Sequence, residues 1–255
     1  MLYVLIFICG AIVGSFLNVC IWRIPAGKSI VYPPSHCPLC GVAIRVRDNF
    51  PLLSYVLLRG RCRACGGTIS MRYPLVEMLT GALLVLLAYR FGLSPMLAFY
   101  GVFVAALIVI TFIDLDHQII PDVISLPGIA VGLLCSALGL GPGLVDSGIG
   151  VLVGGGLLYA VAEGYYRLTG REGMGGGDIK LLAMIGAFLG WQGVLVTLLL
   201  GSLTGSIVGT SLILLQRTDA RVPIPFGPFL ACGALCALVY GNALIRWYLA
   251  LAVPA

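Results

Sequence analysis

Residues 2–22 contain no charged side chain. About 20 consecutive apolar residues in helical form span the hydrocarbon core of a bilayer, so this run commits the start of the chain to lipid unless a very large core surrounds it. The rest of the sequence offers no such core. Further apolar segments stand near 75–91, 95–113, 123–139, 145–166, 180–190, 191–216 and 224–247, punctuated by Gly, Pro and charge. Only 10% of the 255 residues are charged and 60% are hydrophobic, whereas a soluble domain is roughly a quarter charged. So few charges cannot coat a water-facing surface. The expected fold is therefore an all-α polytopic membrane protein with about eight transmembrane helices. No basic segment precedes the first run, which favours a retained helix over a cleaved signal peptide. Gly10 and Gly14 give that helix a GxxxG face for close helix packing.

Residues 23–73 break the pattern. They hold Arg23, Lys28, Arg45, Arg47, Arg59, Arg61, Arg63 and Arg72, together with four cysteines. Three parts are expected: a first membrane helix over 1–22, a small water-exposed insert over 23–73, and a multi-helix membrane domain over 74–255. An excess of Lys and Arg marks the cytoplasmic side of a membrane protein. With eight helices, the insert shares one side with the loops near 114–122, 167–179 and 217–223, which add Arg167, Arg171, Lys180, Arg217 and Arg221. Arg90 and Arg246 alone fall on the other. The insert is thus placed in the cytoplasm and both termini outside. A net charge of +5 gives no further support to nucleic-acid binding.

Within the insert, Cys37-Pro-Leu-Cys40 is matched by Cys62-Arg-Ala-Cys65, each pair followed by a glycine, Gly41 and Gly66. Two CxxC turns can offer four thiolates to one tetrahedral zinc, and a glycine after the second cysteine relieves the tight turn. Two disulfides or four free thiols are the alternatives, and a cytoplasmic location argues against the first. An insert of this size builds little core of its own, so a metal would supply much of its folding free energy. Four protein ligands leave no open position, which makes the expected zinc structural. His36 stands beside Cys37 and is read as a loop histidine rather than a ligand. Cys135, Cys232 and Cys236 lie in apolar runs, where they serve as small hydrophobes.

Acids gather in two places: Ile113-Asp114-Leu115-Asp116-His117 through Ile120-Pro121-Asp122, and Gly173-Met174-Gly175-Gly176-Gly177-Asp178-Ile179-Lys180. Both fall at cytoplasmic ends of membrane helices, a depth at which acids are costly unless paired, solvated or functional. Asp114 closes the third membrane helix directly after its apolar run and is expected to project from an interfacial turn; Asp178 opens a helix behind the glycines. Asp122 suits a helix N-cap. Asp116 and His117 fit a solvated loop. Glu163 and Arg167 fit an i,i+4 pair, and Glu77 a helix-dipole or cavity role. Lys180 either biases Asp178 or snorkels to the interface. The glycine density beside Asp178 exceeds what a cap needs and allows close backbone approach.

Two carboxyls within hydrogen-bond reach do not both ionise easily, so one holds a proton while the other accepts one. Such a pair can activate water against a peptide carbonyl. No serine has a histidine partner in view. Clustered acids also mark cation pathways, so an ion or metal transporter is the alternative, although the matched broken helices of transporter repeats are not found. A zinc-bearing scaffold without activity is a third reading.

These residues resemble the bacterial type IV prepilin peptidases, membrane aspartyl enzymes with a glycine-aspartate motif. The resemblance rests on Gly14-Ser15-Phe16-Leu17-Asn18-Val19 with Arg23-Ile24-Pro25, the paired CxxC insert, Arg72-Tyr73-Pro74 with Glu77, Asp114 through Asp122, Gly175-Gly176-Gly177-Asp178-Ile179-Lys180, and Pro223-Ile224-Pro225-Phe226-Gly227-Pro228. Gly176 is an addition to one family glycine motif. The resemblance implies cleavage of a short basic leader from type IV prepilins or type II secretion pseudopilins, at the cytoplasmic face of the inner membrane. Asp114 and Asp178 match the family's catalytic aspartates. It also implies N-methylation of the new terminus with S-adenosylmethionine, an activity associated with the cysteine-bearing part. Glu77 and Asn18 are candidate contacts of the methyl donor.

Overall fold

The structure, a computed structural model, describes residues 1–171, 175–216 and 224–252. Gly173 and Met174 of the glycine-rich stretch, Arg217 and Arg221 of the charge balance, and Pro223 lie outside these residues. The chain divides into two compact units, residues 1–109 and 110–255.

The first unit holds α1 (Leu2–Arg23), α2 (Leu53–Leu57), α3 (Arg72–Phe91) and most of α4 (Pro95–His117). Its main packing is α1 along α3, and the expected GxxxG face forms that contact. A Cβ on Gly10 would lie 2.7 Å from the Gly81 Cα, and one on Gly14 would lie 2.7 Å from the Glu77 Cα. Small residues let the two backbones touch, which is how helices associate where lipid removes the hydrophobic drive. Asn18 then ties the pair, its Nδ2 donating to the Tyr73 carbonyl at 3.1 Å and to the Gly14 carbonyl at 3.3 Å. Gly14→Leu is expected to force the helices apart and cost about 1–3 kcal/mol, the usual scale of overpacking. Thermal unfolding in detergent measures it.

The second unit holds the end of α4, then α5 (Asp122–Ala137), α6 (Leu144–Thr169), α7 (Gly176–Gln216) and α8 (Gly227–Ala252). Gly190, at φ 72° and ψ 177°, breaks α7 into two arms. The first arm runs antiparallel to α6, with Gly150 against Gly186 and Gly154 against Leu182. The second runs antiparallel to α8, with Gly201 against Phe229 and Gly233 against Thr197. Leu181, Leu182, Met184, Ile185, Ala187 and Phe188 of the first arm are at most 1% exposed. A helix apolar on every side must be wrapped on every side, and α5 and α6 do the wrapping.

The membrane fold expected from the sequence is the one observed: an all-helical, multi-pass protein. Among the described residues, six helices are long and apolar enough to cross a bilayer, and α5 is a shorter apolar helix. With the two arms of α7 counted separately, the eight apolar segments of the sequence correspond to eight helical segments. Among the described residues, β structure is limited to two isolated bridges, His36 to Ala43 and Arg61 to Thr68. Asp114 departs from its expected place. It sits about one turn inside the end of α4 rather than closing it, because the helix continues to His117 and stops only where Gln118 takes φ 54°. The intervening loop shrinks to 118–121.

Candidate functional site

One end of the second unit collects the C-terminal end of α4 and the N-termini of α5, α7 and α8. Asp114 is 5% exposed. Its Oδ2 accepts the Gly227 backbone N–H at 2.9 Å, so the start of α8 seats the carboxyl. The first N–H groups of a helix have no intrahelical partner, and here one of them has found a side chain. A Cβ on Gly227 would stand 2.7 Å from that oxygen; only glycine leaves room for the carboxyl to approach. The Pro-Phe-Gly-Pro stretch thus both starts α8 and lies beside Asp114.

Asp178 lies in the first turn of α7, half-buried, at the head of the arm that forms the core of this unit. The neighbouring Gly177 explains part of the glycine density: a Cβ there would lie 2.8 Å from the Ile120 Cβ, so α7 starts with its backbone against the loop that follows α4. The two acids singled out in the sequence are thus brought to one site by Gly177 and Gly227, both of which touch the 114–120 stretch.

The Lys180 ammonium is taken by Asp122. Its Nζ contacts both Asp122 oxygens at 2.7 Å. Asp122 is the first residue of α5, whose N-cap is Pro121, and its carboxylate pins the start of α5 to α7. Both side chains are well exposed, 55% and 39%, so Asp122→Asn is expected to change the unfolding free energy by less than about 1 kcal/mol. Chemical denaturation of the two proteins in one detergent checks this. Glu163 and Arg167 form the expected i,i+4 pair at 2.6 Å.

In the first unit the four cysteines meet. The ligand atoms of Cys37, Cys40, Cys62 and Cys65 lie within 4.8 Å of one another, and the Cys37 and Cys65 sulfurs are 3.9 Å apart. Zinc–sulfur bonds of about 2.3 Å in a tetrahedron imply sulfurs roughly 3.8 Å apart, so the donor set fits a metal. Each half is the same knuckle. The Gly41 N–H donates to the Cys37 carbonyl and the Gly66 N–H to the Cys62 carbonyl, each at 2.9 Å. Gly41 and Gly66 take φ 70° and 69°, conformations that L side chains resist. Backbone N–H groups of Cys40 and Leu39 bring the Cys37 thiol down to about 7, which favours the thiolate a metal needs. His36 is outside the cluster, its ring edge-on to Trp22.

Asn18 and Glu77 are committed to protein partners. Asn18 joins α1 to α3, as described above. Glu77 is 7% exposed and accepts the Leu52 N–H at 2.8 Å. Leu52 has φ 61°, a strained choice for a leucine, so the carboxyl helps to hold the insert in an unusual turn. Arg23, also buried, donates to the Ser29 carbonyl at 2.9 Å and the Pro33 carbonyl at 2.7 Å.

Residues 8–91 match the bacterial peptidase A24 N-terminal domain, and residues 101–210 match the type IV leader peptidase family. Relatives named prepilin leader peptidase/N-methyltransferase include one from Aeromonas hydrophila, 41% identical over 96% of this chain and 93% of its own length. One from Pseudomonas aeruginosa is 39% identical over 94% and 91%. One from Myxococcus xanthus is 44% identical over 83% of this chain and 63% of its own length. No solved structure matches the chain at a significant level. The transporter alternative finds no support in these relatives. Matched by both domains and by relatives along nearly its whole length, the chain belongs to the type IV leader peptidase family.

Proposed function

We propose that this chain cleaves the leader from prepilins or pseudopilins and N-methylates the new terminus, and that Asp114 and Asp178 are its catalytic pair. The observation that carries this is the seating of Asp114 on the Gly227 N–H together with the packing of Gly177, next to Asp178, on Ile120. The ionised member takes a proton from water as the water oxygen bonds to the scissile carbonyl carbon. The protonated member gives its proton to the carbonyl oxygen, and the leaving amine is protonated as the carbon–nitrogen bond breaks. Asp114 is held by α8 and Asp178 stands beside glycines, which suits a fixed group and an adjustable one. An open groove of about 310 Å³ lined by Ser202, Gly205, Ser206, Ile224, Phe226 and Phe229 begins next to Gly227 and is apolar enough to take a hydrophobic segment beyond the cleavage point.

The positive-inside distribution supports a place in the bacterial inner membrane with this site facing the cytoplasm. Of the three functional parts, residues 1–22 anchor, residues 23–73 hold a structural zinc on Cys37, Cys40, Cys62 and Cys65, and residues 74–255 carry the peptidase. The zinc ties two segments of the insert together. S-adenosylmethionine is the methyl donor. A labelled prepilin peptide incubated with the purified chain, with and without that donor, tests both activities: a shortened product appears in either case and a methylated one only with the donor. No shortened product would refute the assignment.

Gly227→Ala sharpens the test. The added methyl displaces the Asp114 carboxyl, and a shift of about 1 Å can cost on the order of 10²-fold in rate. Single-turnover cleavage is expected to fall by about that factor.

A further inference from the structure

Among the described residues, nothing covers the outward face of α2. Leu53, Val56 and Leu57 stand at i, i+3 and i+4 and so share one side of the helix. They are 56%, 70% and 71% exposed, and Phe50 just ahead of them is 58% exposed. The opposite side carries the buried Ser54. Arg45 and Arg47 precede this stretch and Arg59 and Arg61 follow it. All four are exposed and make no ion pair among the described residues. Asp48 is the only acid between residues 24 and 71, and Arg63 already holds it at 2.7 Å. Exposed apolar residues framed by unpaired arginines complement anionic lipid, with phosphates above and acyl chains below.

The depth of α2 fits the same occupant. Leu52, the N-cap residue just before the helix, donates its N–H to Glu77. Glu77 lies five residues into the membrane-length helix α3, about 7.5 Å along its axis from Arg72. The start of α2 is therefore beside the wall of a spanning helix rather than beyond its end. Trp22, at the end of α1 and 48% exposed, has the Lys28 Nζ 4.6 Å over its ring. Tryptophan beside a basic residue is the usual furnishing of a membrane–water interface.

We infer that α2 lies in the bilayer interface, with Leu53, Val56 and Leu57 at the acyl boundary and Arg45, Arg47, Arg59 and Arg61 on the phosphates of anionic lipids. The four-cysteine insert is then held flat on the membrane as a platform rather than projecting into water.

The full chain in lipid nanodiscs tests this. An environment-sensitive fluorescent amino acid is placed at Leu57 in one protein and at the exposed knuckle residue Ala64 in another, in lipids brominated high on the acyl chains. In bilayers containing phosphatidylglycerol, position 57 is expected to lose most of its fluorescence and position 64 little. No quenching at 57 overturns the inference. Equal quenching at 57 in purely zwitterionic bilayers overturns the role given to the arginines, and relief of quenching by an added prepilin peptide reassigns the face to substrate. Hydrogen exchange of the unmodified chain is an independent measure. Amides of residues 50–58 are expected to exchange more slowly in anionic than in zwitterionic nanodiscs, and equal exchange contradicts the lipid contact.

Discussion

Asp114→Asn and Asp178→Asn are each expected to lower the rate of leader removal by about 10²–10⁴-fold, the usual contribution of a positioned acid or base. Asparagine keeps the volume and an acceptor oxygen. The Gly227 N–H that Asp114 accepts at 2.9 Å still has a partner, and the packing of Gly177 on Ile120 is untouched. What disappears is the ability to exchange a proton with water. The control is methyl transfer to a pilin peptide that already lacks its leader, which both variants should perform at the wild-type rate. Asp114→Ala separates position from chemistry: it also leaves the buried Gly227 N–H without its acceptor, a penalty of about 1–3 kcal/mol, so its melting temperature should fall below that of the asparagine variant. Wild-type cleavage by both asparagine variants would remove these two residues from the reaction.

Much of this architecture was legible in the sequence because its signals are local. Apolar runs bounded by Gly, Pro and charge locate the helices, and even the division at Gly190 is marked by the change from the 180–190 run to the 191–216 run. The paired CxxC spacing encodes its own turn, so the four sulfurs could be foreseen to converge. What was not legible is tertiary. The Gly227 N–H meets Asp114 across 113 positions, and Lys180 meets Asp122 across 58. Lys180 shows the difficulty well: its nearest acid in sequence is Asp178, yet its ammonium is taken by Asp122, because α5 and the first arm of α7 start side by side. The Leu52 contact of Glu77 is hidden for a related reason, since nothing local marks a leucine for φ 61°. Asp114 was misplaced by a turn because a helix end depends on what the next residues find to bond, and Asp and His are weak indicators of it.

Removing the metal should divide the two activities. Among residues 24–71 only Cys37, Ser54 and Gly60 are buried, and the only α-helix is the five-residue α2. A segment with so little core cannot offset the entropy of ordering its backbone. Structural zinc in small domains supplies roughly 10–16 kcal/mol, more than enough to make the difference. Cys37→Ser or Cys62→Ser, or prolonged chelation of the native chain, is therefore expected to abolish metal content, open the insert to proteolysis within residues 24–71, and eliminate methyl transfer. Asp114, Asp178, Gly177 and Gly227 all belong to residues 110–255, a compact unit that does not include the cysteine ligands, so leader cleavage should persist within a few-fold. Metal analysis, limited proteolysis and the two activity assays on the same preparation read all of this together. Full metal content in the serine variants would show that the four thiols do not act as one ligand set. Equal loss of both activities would show instead that the insert is needed to present the substrate to the aspartates.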